Sequence, residues 1–420
     1  MAQYDVTIYT SLDFDTGTLY APSSCEQIDA THYITFYKEQ EAGMRTQVVT
    51  INTTTWAVTT SSSRLDYDGN GGDNSCAKID TNHFIDFWLA GTTYDQQAQV
   101  FTVNTTTWAV TTANNPLEYT TDAGYSNACI KMDLNHFVNF HQQTASDGFV
   151  QSFTVNTTTW AVSTNMASAL EFDTQNCYGN APFLVDTNHI ILFWAGGATP
   201  SRYTQVFTVS TSTWAVTTAN SSLNYDTTGN MYGNGNQSCY QIDSTHFINF
   251  WGESANVGGF TQVFTVSTST WAVTTAGAKF EFSPNRAQGS TWVCKPIDAN
   301  HFILWWPTND YANDYVAQVF TVNTSTWEVT TTKAVTTVDA NRANYLSGYR
   351  VDTNHYLIFS DSQGVPGGGA EGDAYAQMFA VEIPAVGPAN LKSYNTNLKA
   401  NIKTINGNLI ANCKSLNTNI

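Results

Sequence analysis

The pattern that decides the fold of this chain lies in CAKIDTNHFIDFW at residues 76–88 and AQVFTVNTTTWAVTT at residues 98–112. The first stretch joins a short apolar segment to the alternating segment HFIDFW through Asp-Thr-Asn. The second joins a β-branched and aromatic run to WAVTT through Asn-Thr-Thr-Thr. Alternation and β-branched residues favour strands, and Asn, Asp and Thr favour the turns between them. The two stretches therefore predict four antiparallel strands.

The phrase Asp-x-(Asn/Thr)-His recurs seven times, and each copy precedes aromatic and aliphatic residues. Successive histidines are 51 to 57 residues apart, slightly more than the roughly 40–50 residues of a propeller blade. One four-stranded sheet would leave both apolar faces in water, whereas seven sheets packed radially bury them. The sequence therefore predicts an all-β fold, a seven-bladed β-propeller of four-stranded antiparallel blades.

The two ends of the repeat region predict how the ring closes. The seventh unit ends its third strand in AQMFAVEI at residues 376–383, and Pro384 stands where the fourth should begin. The N-terminal segment YDVTIYTSLDF matches the fourth strand of other units, with Tyr4 in the position of Trp108. We predict a propeller over residues 1–384 in which the N-terminal strand 2–14 completes the last blade. Such closure removes an exposed sheet edge.

Residues 385–420 follow a different pattern, an 11-residue repeat that begins NLKSYNTNLKA and continues NIKTINGNLIA. Asn, Thr, Ser and Gly are poor helix formers, and Asn406-Gly407 suits a type I′ hairpin turn. A small polar β segment is marginal by itself. We therefore predict a short β-rich tail that mediates assembly or anchoring.

The tail repeats resemble the "NIKTING"-type repeats at the C-termini of phage and metagenomic surface proteins, and the blades resemble propeller repeats found beside them. The resemblance implies a virion-associated protein that folds in the cytoplasm and reaches the virion or extracellular surface through lysis. It implies that residues 385–420 contact other copies of the chain or other virion proteins, and that host surface glycans or proteins are partners. The start MAQYDVTIYT has no signal-peptide pattern, which agrees with this expectation.

Charge distribution restricts the partners further. Residues 1–389 carry 12 basic and 34 acidic side chains, a net charge of −22, whereas the tail carries four lysines and no acid. Phosphate backbones and anionic lipid surfaces repel so acidic a body, so we expect neither nucleic acid nor membrane insertion. The cysteines that repeat once per unit predict buried free thiols. They are Cys25, Cys76, Cys129, Cys239 and Cys294.

The seven Asp-His pairs predict a structural turn network in which the Asp accepts backbone hydrogen bonds and the His bonds to the Thr or Trp of the NTTTW turn. They resemble the buried Asp-His-Ser/Thr-Trp network of Trp-Asp repeat propellers. A zinc site would need three or four convergent ligands, and these pairs are dispersed one per blade. The pairs are Asp29 and His32, Asp80 and His83, Asp133 and His136, Asp186 and His189, Asp243 and His246, Asp298 and His301, and Asp352 and His355.

No metal and no cofactor is predicted, but one calcium alternative stays open. Asp66, Asp68 and Asn70 match the first half of a calcium loop, although no Glu follows at the twelfth position.

Five residues after each repeat histidine stands a mostly aromatic position at the end of the second strand. In a meander this position lies at the variable-loop face, formed by the loops between strands two and three and between successive blades. Aromatic rings there predict a ligand-binding surface for sugars or aromatic side chains. Packing between blades is the alternative. The candidate residues are Tyr37, Trp88, Trp194, Trp251 and Trp306.

The turn phrase TVNTTTW is similar to the Asp-box of sialidase propellers but is one residue shorter and lacks the Asp and Gly. The resemblance implies three convergent arginines, yet no two of the six arginines share a repeat position, and we interpret four of them as loop charges. They are Arg202, Arg286, Arg342 and Arg350. We therefore predict a non-enzymatic, surface-binding propeller. A purely structural assembly module and a glycan-processing hydrolase are the alternatives.

Overall fold

A computed structural model describes eleven segments of the chain: residues 4–15, 19–39, 43–143, 146–196, 201–227, 237–252, 258–283, 291–308, 315–339, 346–362 and 373–383. Their regular structure consists of 34 strands, named β1 to β34 in chain order. No helix within these segments could cross a membrane. The predicted tail at residues 385–420 lies outside the described residues.

The strands form seven sheets, and each sheet is a blade numbered by the order of its repeat histidine. Blades 1 and 2 contain β2 (Leu19–Gln27), β3 (His32–Glu39), β4 (Gly43–Ile51), β5 (Val58–Thr60), β6 (Leu65–Asp68), β7 (Gly72–Lys78), β8 (His83–Ala90), β9 (Asp95–Val103), β10 (Val110–Thr112) and β11 (Leu117–Thr120). Blades 3 and 4 contain β12 (Ala128–Lys131), β13 (His136–Gln142), β14 (Gly148–Val155), β15 (Val162–Thr164), β16 (Leu170–Asp173), β17 (Cys177–Leu184), β18 (His189–Gly196), β19 (Ser201–Val209), β20 (Val216–Thr218) and β21 (Leu223–Asp226). Blades 5 and 6 contain β22 (Cys239–Gln241), β23 (His246–Gly252), β24 (Gly259–Val266), β25 (Val273–Thr275), β26 (Phe280–Ser283), β27 (Val293–Pro296), β28 (His301–Pro307), β29 (Tyr315–Val322), β30 (Val329–Thr331) and β31 (Thr336–Asp339). Blade 7 contains β32 (Leu346–Arg350), β33 (His355–Ser362), β34 (Asp373–Val381) and β1 (Val6–Asp15).

Every blade is an antiparallel meander, and the first strands of successive blades contact one another around the ring, including the contact of β2 with β32 that joins blade 1 to blade 7. Strand one is therefore innermost and strand four outermost. The prediction of an all-β, seven-bladed propeller is confirmed. Meander topology also gives the ring two faces. The Asp-x-x-His and NTTTW turns form the turn face, and the longer connections form the variable-loop face.

The N-terminal strand completes blade 7. Strand β1 pairs with β34, with Val6 opposite Val381 and Leu12 opposite Ala376. The backbone N–H of Tyr4 donates to the Glu382 carbonyl at 2.8 Å. The prediction that the first strand closes the ring is confirmed, with regular pairing beginning at Val6.

The fourth strand differs from the prediction in six blades because it is split. In blade 2, β10 pairs with the C-terminal end of β9, and β11 pairs with the N-terminal half of β9 with a register shift inside this second pairing. Pro116 and the asparagines before it separate the two pieces. An outermost strand has a bonded neighbour on one side only, so a break there costs fewer hydrogen bonds than a break inside the sheet.

The core lies between blades, and alternate residues of the second strand point to opposite neighbours. In β8, Phe84 packs with Phe36 of blade 1, whereas Phe87 packs with Phe153 of blade 3. The junction of blades 7 and 1 buries Phe359 with Tyr33 and includes Leu12 and Phe14 of the N-terminal strand. This double burial explains why apolar residues stand on both faces of the second strands.

Candidate functional site

The repeat histidines occupy a hydrogen-bonded turn. In blade 2, Asp80 Oδ1 accepts the backbone N–H groups of Asn82 at 3.0 Å and His83 at 2.9 Å, and it lies 2.9 Å from His83 Nδ1. Burial raises the pKa of Asp80, but these hydrogen bonds outweigh it, and the net shift is downward. All seven pairs have the same Asp-to-Nδ1 contact.

Each repeat histidine stacks on an aromatic residue of the next blade, which is the tryptophan of the NTTTW-type turn in six cases; the sequence predicted a hydrogen bond there. His83 lies on the indole of Trp160 with ring centroids 3.5 Å apart, and His355 lies on Trp56 at the same separation. His301 stacks on Tyr4 at 4.5 Å. The stack is intact at all seven junctions, and Tyr4 takes the place of a tryptophan. The other four pairs are His32 with Trp108, His136 with Trp214, His189 with Trp271 and His246 with Trp327.

The stacked tryptophans have an unusual backbone conformation. Trp108 has φ of 60° and donates its N–H to the Asn104 carbonyl at 2.6 Å. Asn104 Oδ1 in turn accepts the N–H groups of Thr106 and Thr107. A bulky residue at positive φ is strained and persists only where packing demands it. The histidine stack supplies that packing, so the Asp-His-Trp network holds blades together at the turn face.

The described residues contain no cluster of three or more His, Cys, Asp or Glu side chains that could hold a metal ion. The calcium alternative is not supported, because its carboxylates bind other groups. Asp66 Oδ1 accepts from Arg45 Nε at 2.9 Å, and Asp68 Oδ2 accepts from Trp88 Nε1 at 2.9 Å. Asp68 Oδ1 caps the backbone N–H of Asn70.

The five aromatic residues offered as ligand contacts are fully buried, which corrects their expected place on an open surface. Tyr37, Trp88, Trp194, Trp251 and Trp306 are at most 1% exposed. Their rings contact an aromatic ring of the preceding blade edge to face, as Trp88 does with Tyr67 at a centroid distance of 5.3 Å. Packing excludes a sugar from these rings.

Four of these aromatic residues also donate a hydrogen bond to an Asp at the end of the preceding blade's outer strand. We call these contacts the Asp clasps. They are Tyr37 to Asp15 at 2.9 Å, Trp88 to Asp68 at 2.9 Å, Trp194 to Asp173 at 2.7 Å and Trp251 to Asp226 at 3.0 Å. Sequence reasoning missed this role of the aspartates and named only Asp68, as a calcium ligand. The sequence contained a sign of this pairing, because the outer strands before these four aromatic residues end in Asp, whereas Ser283 ends the strand before Trp306. The Trp306 Nε1 has no hydrogen-bond partner among the described residues.

Four arginines were predicted to be loop charges. The two that the structure describes bond to a neighbouring blade instead. Arg202 is buried and donates to the Gly252 carbonyl of the next blade. Arg350 donates to the Ile297 carbonyl of the preceding blade at 2.8 Å. Arg286 and Arg342 lie outside the described residues.

The variable-loop face presents one exposed aromatic pair among the described residues. Tyr94, between β8 and β9, is 37% exposed, and Tyr125, between β11 and β12, is 48% exposed. Their ring centroids are 5.8 Å apart and their planes are inclined by 43°. Most loops between strands two and three, where the sequence varies most, lie outside the described residues.

Backbone strain is concentrated around this pair. Apart from the stacked aromatic residues of the turn face, the described non-glycine residues with positive φ are Asp73, Tyr94, Ser126 and Ser146. All four lie on the variable-loop face of blades 2 and 3. The Ser126 N–H donates to Asp73 Oδ2 at 3.1 Å, and the Asn127 amide donates to the Asp73 carbonyl at 3.2 Å. Strained residues held by such bonds are typical of binding sites.

The first strands also enclose a central channel. A cavity of about 160 Å³ is lined by residues of all seven blades, including Ser24, Gln237 and Ser347. A second cavity of about 550 Å³ lies towards the turn face and is lined by Glu26, Lys78, Asp80, Lys131 and apolar neighbours. Glu26, Cys76 and Cys129 line both cavities. The six cysteines of the described residues are free thiols.

Glu26 is an acidic group that lines both cavities. Burial raises its pKa to about 7, although Lys295, Lys78 and Lys131 act in the opposite direction. Lys78 Nζ donates to the Ile28 carbonyl and Lys131 Nζ to the Ile79 carbonyl, each at 2.7 Å across a blade junction. Lys78 and Lys131 each stand two residues after a repeat cysteine, a regularity that the sequence already contained.

Comparison with known proteins identifies the fold of the chain. No family model matches the chain, and no curated protein matches it. Among solved structures, a candidate 6-phosphogluconolactonase from Bacteroides fragilis aligns with a TM-score of 0.54 and 11% identity, over 76% of this chain and 85% of that one. The BP39L lectin from Burkholderia pseudomallei aligns with a TM-score of 0.51 and 9% identity, over 87% of this chain and 99% of the lectin. At such identities the likeness shows that this chain has the propeller fold, shared by proteins of different activities.

Proposed function

We propose that this chain is a non-enzymatic binding propeller that attaches to neutral glycans of a host or environmental surface through its variable-loop face. The observation that carries the proposal is the exposed pair formed by Tyr94 and Tyr125. Tyrosine rings offer an apolar face to a sugar ring and a hydroxyl that reaches a polar partner, so aromatic planes beside polar loops suit carbohydrate.

The backbone around the pair supports a binding role. Tyr94 and Ser126 have φ of 59° and 62°, and Asp73 has φ of 26°. Strain of this kind costs roughly 1–3 kcal/mol per residue. A rigid ring of blades stabilises such loops, as it does in other scaffolds that present binding residues on connecting segments.

The net charge favours a neutral ligand. Residues 1–389 carry a net charge of −22, and Asp122 and Asp95 lie within three residues of the tyrosines. An acidic glycan would approach against this field, whereas a neutral sugar would meet carboxylates that accept hydrogen bonds from its hydroxyl groups.

A glycan array with the intact protein, followed by titration of the best ligand, tests the proposal. We expect Tyr94→Ala and Tyr125→Ala to weaken binding about threefold to tenfold each, which corresponds to the loss of one aromatic contact. Leu134→Ala is the matched control, because Leu134 is 62% exposed on the turn face. Equal affinity of all three variants, or no array signal for the intact protein, would contradict the proposal and favour a purely structural module.

Attachment to a virion belongs to the same proposal. The acidic propeller and the tail of residues 385–420, with four lysines and no acid, are chemically distinct. We propose that the tail joins copies of the chain or other virion proteins. Deletion of residues 385–420 should change the oligomeric state in analytical ultracentrifugation while glycan binding by single propellers is retained. Turnover of sialylated or polymeric sugars would instead indicate the hydrolase alternative.

A further inference from the structure

The seam between blades 5 and 6 has a serine where other seams have a carboxylate. In three of the Asp clasps, the indole N–H groups of Trp88, Trp194 and Trp251 donate to the aspartate that ends the preceding blade's outer strand. Between blades 5 and 6 that strand ends at Ser283, whose side chain is shorter and carries no carboxylate. The donor of this seam, Trp306 Nε1, is buried and has no hydrogen-bond partner among the described residues.

The backbone places Ser283 at the position that an aspartate occupies in the clasps. Ser283 stands opposite Gly259 of β24, and Asp173 of blade 3 stands opposite Gly148 of β14. In both blades the pairing shifts register between this glycine and the phenylalanine that follows it. The backbone is therefore equivalent at the two seams, and the side chain at the end of the strand differs.

The Trp306 ring also packs as the clasp tryptophans do. It meets Phe282 edge to face, with ring centroids 5.2 Å apart and planes inclined by 78°. Trp194 meets Phe172 in the same way, at 5.3 Å and 82°, and from this orientation it donates to its aspartate at 2.7 Å. The Trp306 N–H is therefore directed at the place that the aspartate carboxylate occupies in the other seams.

A second indole at this seam is in the same condition. Trp292 is buried, contacts Phe282 at 6.1 Å, and has no partner for its Nε1 within the described segments. An indole nitrogen can only donate, and buried donors in proteins nearly always have an acceptor, which can be a water or an ion. Ser283 is half-buried at the end of β26, which gives a small ligand access from the variable-loop face.

We propose that the seam between blades 5 and 6 binds a small carboxylate, of the size of formate or acetate, that accepts the Trp306 indole N–H in place of the missing aspartate. The aspartates of the other clasps show that this position suits a carboxylate, and a charged acceptor forms a stronger hydrogen bond than a neutral one. The net charge of the propeller disfavours anions in general, so the affinity comes from local hydrogen bonds. The site is separate from the proposed glycan surface at Tyr94 and Tyr125, which lies on blades 2 and 3.

Proton–nitrogen correlation spectra of the full-length chain with isotope-labelled tryptophan test the proposal. Titration with sodium formate should move the Trp306 indole N–H resonance until it saturates. The Trp194 resonance should stay in place, because Asp173 already accepts that N–H. Trp306→Phe identifies the resonance, and sodium chloride at the same concentrations controls for ionic strength and for halide binding.

Ser283→Asp should abolish the response to formate, because the new carboxylate occupies the site, whereas the matched variant Ser283→Ala should retain it. That pair of results supports the proposal. No saturable movement of the Trp306 resonance, an equal movement with chloride, or a full response in Ser283→Asp overturns it. Thermal unfolding of each variant, compared with the unaltered chain, separates lost binding from lost folding. Glycan titration with Ser283→Asp should be unchanged, so the two proposals fail independently.

Discussion

The seam that closes the ring and an ordinary seam between blades join their sheets by different chemistry. Between blades 1 and 2, Asp68 and Asp86 bind neutral partners, the indole of Trp88 and the hydroxyl of Tyr67. Between blades 7 and 1, buried Asp15 accepts hydrogen bonds from Tyr37, Arg45 and Arg64.

The difference follows from chain connectivity. In blades 1 to 6 the outer strands follow the third strand directly in the chain, whereas β1 of blade 7 comes from the opposite end of the chain. A strand without a covalent link to its sheet needs stronger non-covalent contacts to stay in register. Arg45, which also bonds Asp66 at 2.9 Å and lies 3.6 Å from Glu39, provides them. The closing seam therefore depends on two arginines that share Asp15; blades 4 and 5 are also joined by an ion pair, Lys279 with Asp226.

Removal of residues 1–15 should have the largest effect on this seam. The variant loses the β1 ladder, Leu12 and Phe14 from the core, and the Asp15 contacts. We expect a loss on the order of 5 kcal/mol in the free energy of unfolding, measured by urea denaturation. A synthetic peptide of residues 2–15 added in trans should recover part of it. An unchanged urea midpoint would contradict the closing role of β1.

Substitution of Arg45 should rank next. Arg45→Ala removes the buried cation of Asp15 and leaves this carboxylate with only the half-exposed Arg64, and a broken buried pair typically costs about 3–5 kcal/mol. Arg64→Ala is the control, because Arg64 is 44% exposed and contacts the same Asp15; exposed pairs contribute about 1 kcal/mol or less. Equal effects of the two variants in urea denaturation would show that burial of the pair does not matter.

The ordinary seam should respond to pH through Asp86. Burial raises the pKa of Asp86 to about 7, against partial opposition from its bonds to Tyr67 and Asn74. The unfolded carboxyl titrates near pH 4, so the folded state binds the extra proton between pH 4 and pH 7. Its stabilising contribution is therefore complete below pH 4 and is lost as pH rises through 7.

Asp86→Asn should therefore be nearly neutral at pH 4 and stabilising by on the order of 2 kcal/mol at pH 8. Asn139 and Asn249 occupy the corresponding positions of blades 3 and 5 and bond to Tyr119 and Tyr225, so the amide fits this environment. Thermal or urea unfolding at both pH values measures the difference. The predicted direction is wrong if Asp86→Asn stabilises the protein less at pH 8 than at pH 4.

The Asp clasps should give the smallest effect. Trp194→Phe removes the bond to Asp173 and should cost about 1 kcal/mol beyond the loss of ring volume. Trp306→Phe is matched to it in size and burial, yet its indole nitrogen has no partner among the described residues, so only the volume term remains. Urea midpoints of the two variants measure the clasp by difference. Identical midpoints would mean that the clasp contributes nothing.

Sequence reasoning predicted the blade count and the closing strand but misplaced the aromatic candidates. Trp88, Trp194, Trp251 and Trp306 were assigned correctly to the ends of second strands, but whether a ring there faces solvent depends on the neighbouring blade. That blade supplies Asp68 to Trp88 and Asp173 to Trp194. Contacts between residues about 20 positions apart in different sheets leave no local periodicity in the sequence.

The candidate surfaces could not be predicted from the sequence either. Tyr94 and Tyr125 stand in segments of irregular composition and meet only because two connections converge on one face. Glu26, Lys78 and Lys131 stand on three different blades, and the ring brings them to one cavity.

The sequence by itself determined what repeats: seven strand meanders, their turns, the Asp-His pairs and the N-terminal strand that fills the last sheet. These features depend on alternation, turn chemistry and equal spacing, which are local properties of a chain. Only the tertiary structure decided which neighbour each residue meets. His83 lies on Trp160 of the next blade, and Trp88 is buried against the preceding one. The physical reason is that blades bury their faces against each other, so the exposure and the contacts of each residue at a seam depend on two sheets.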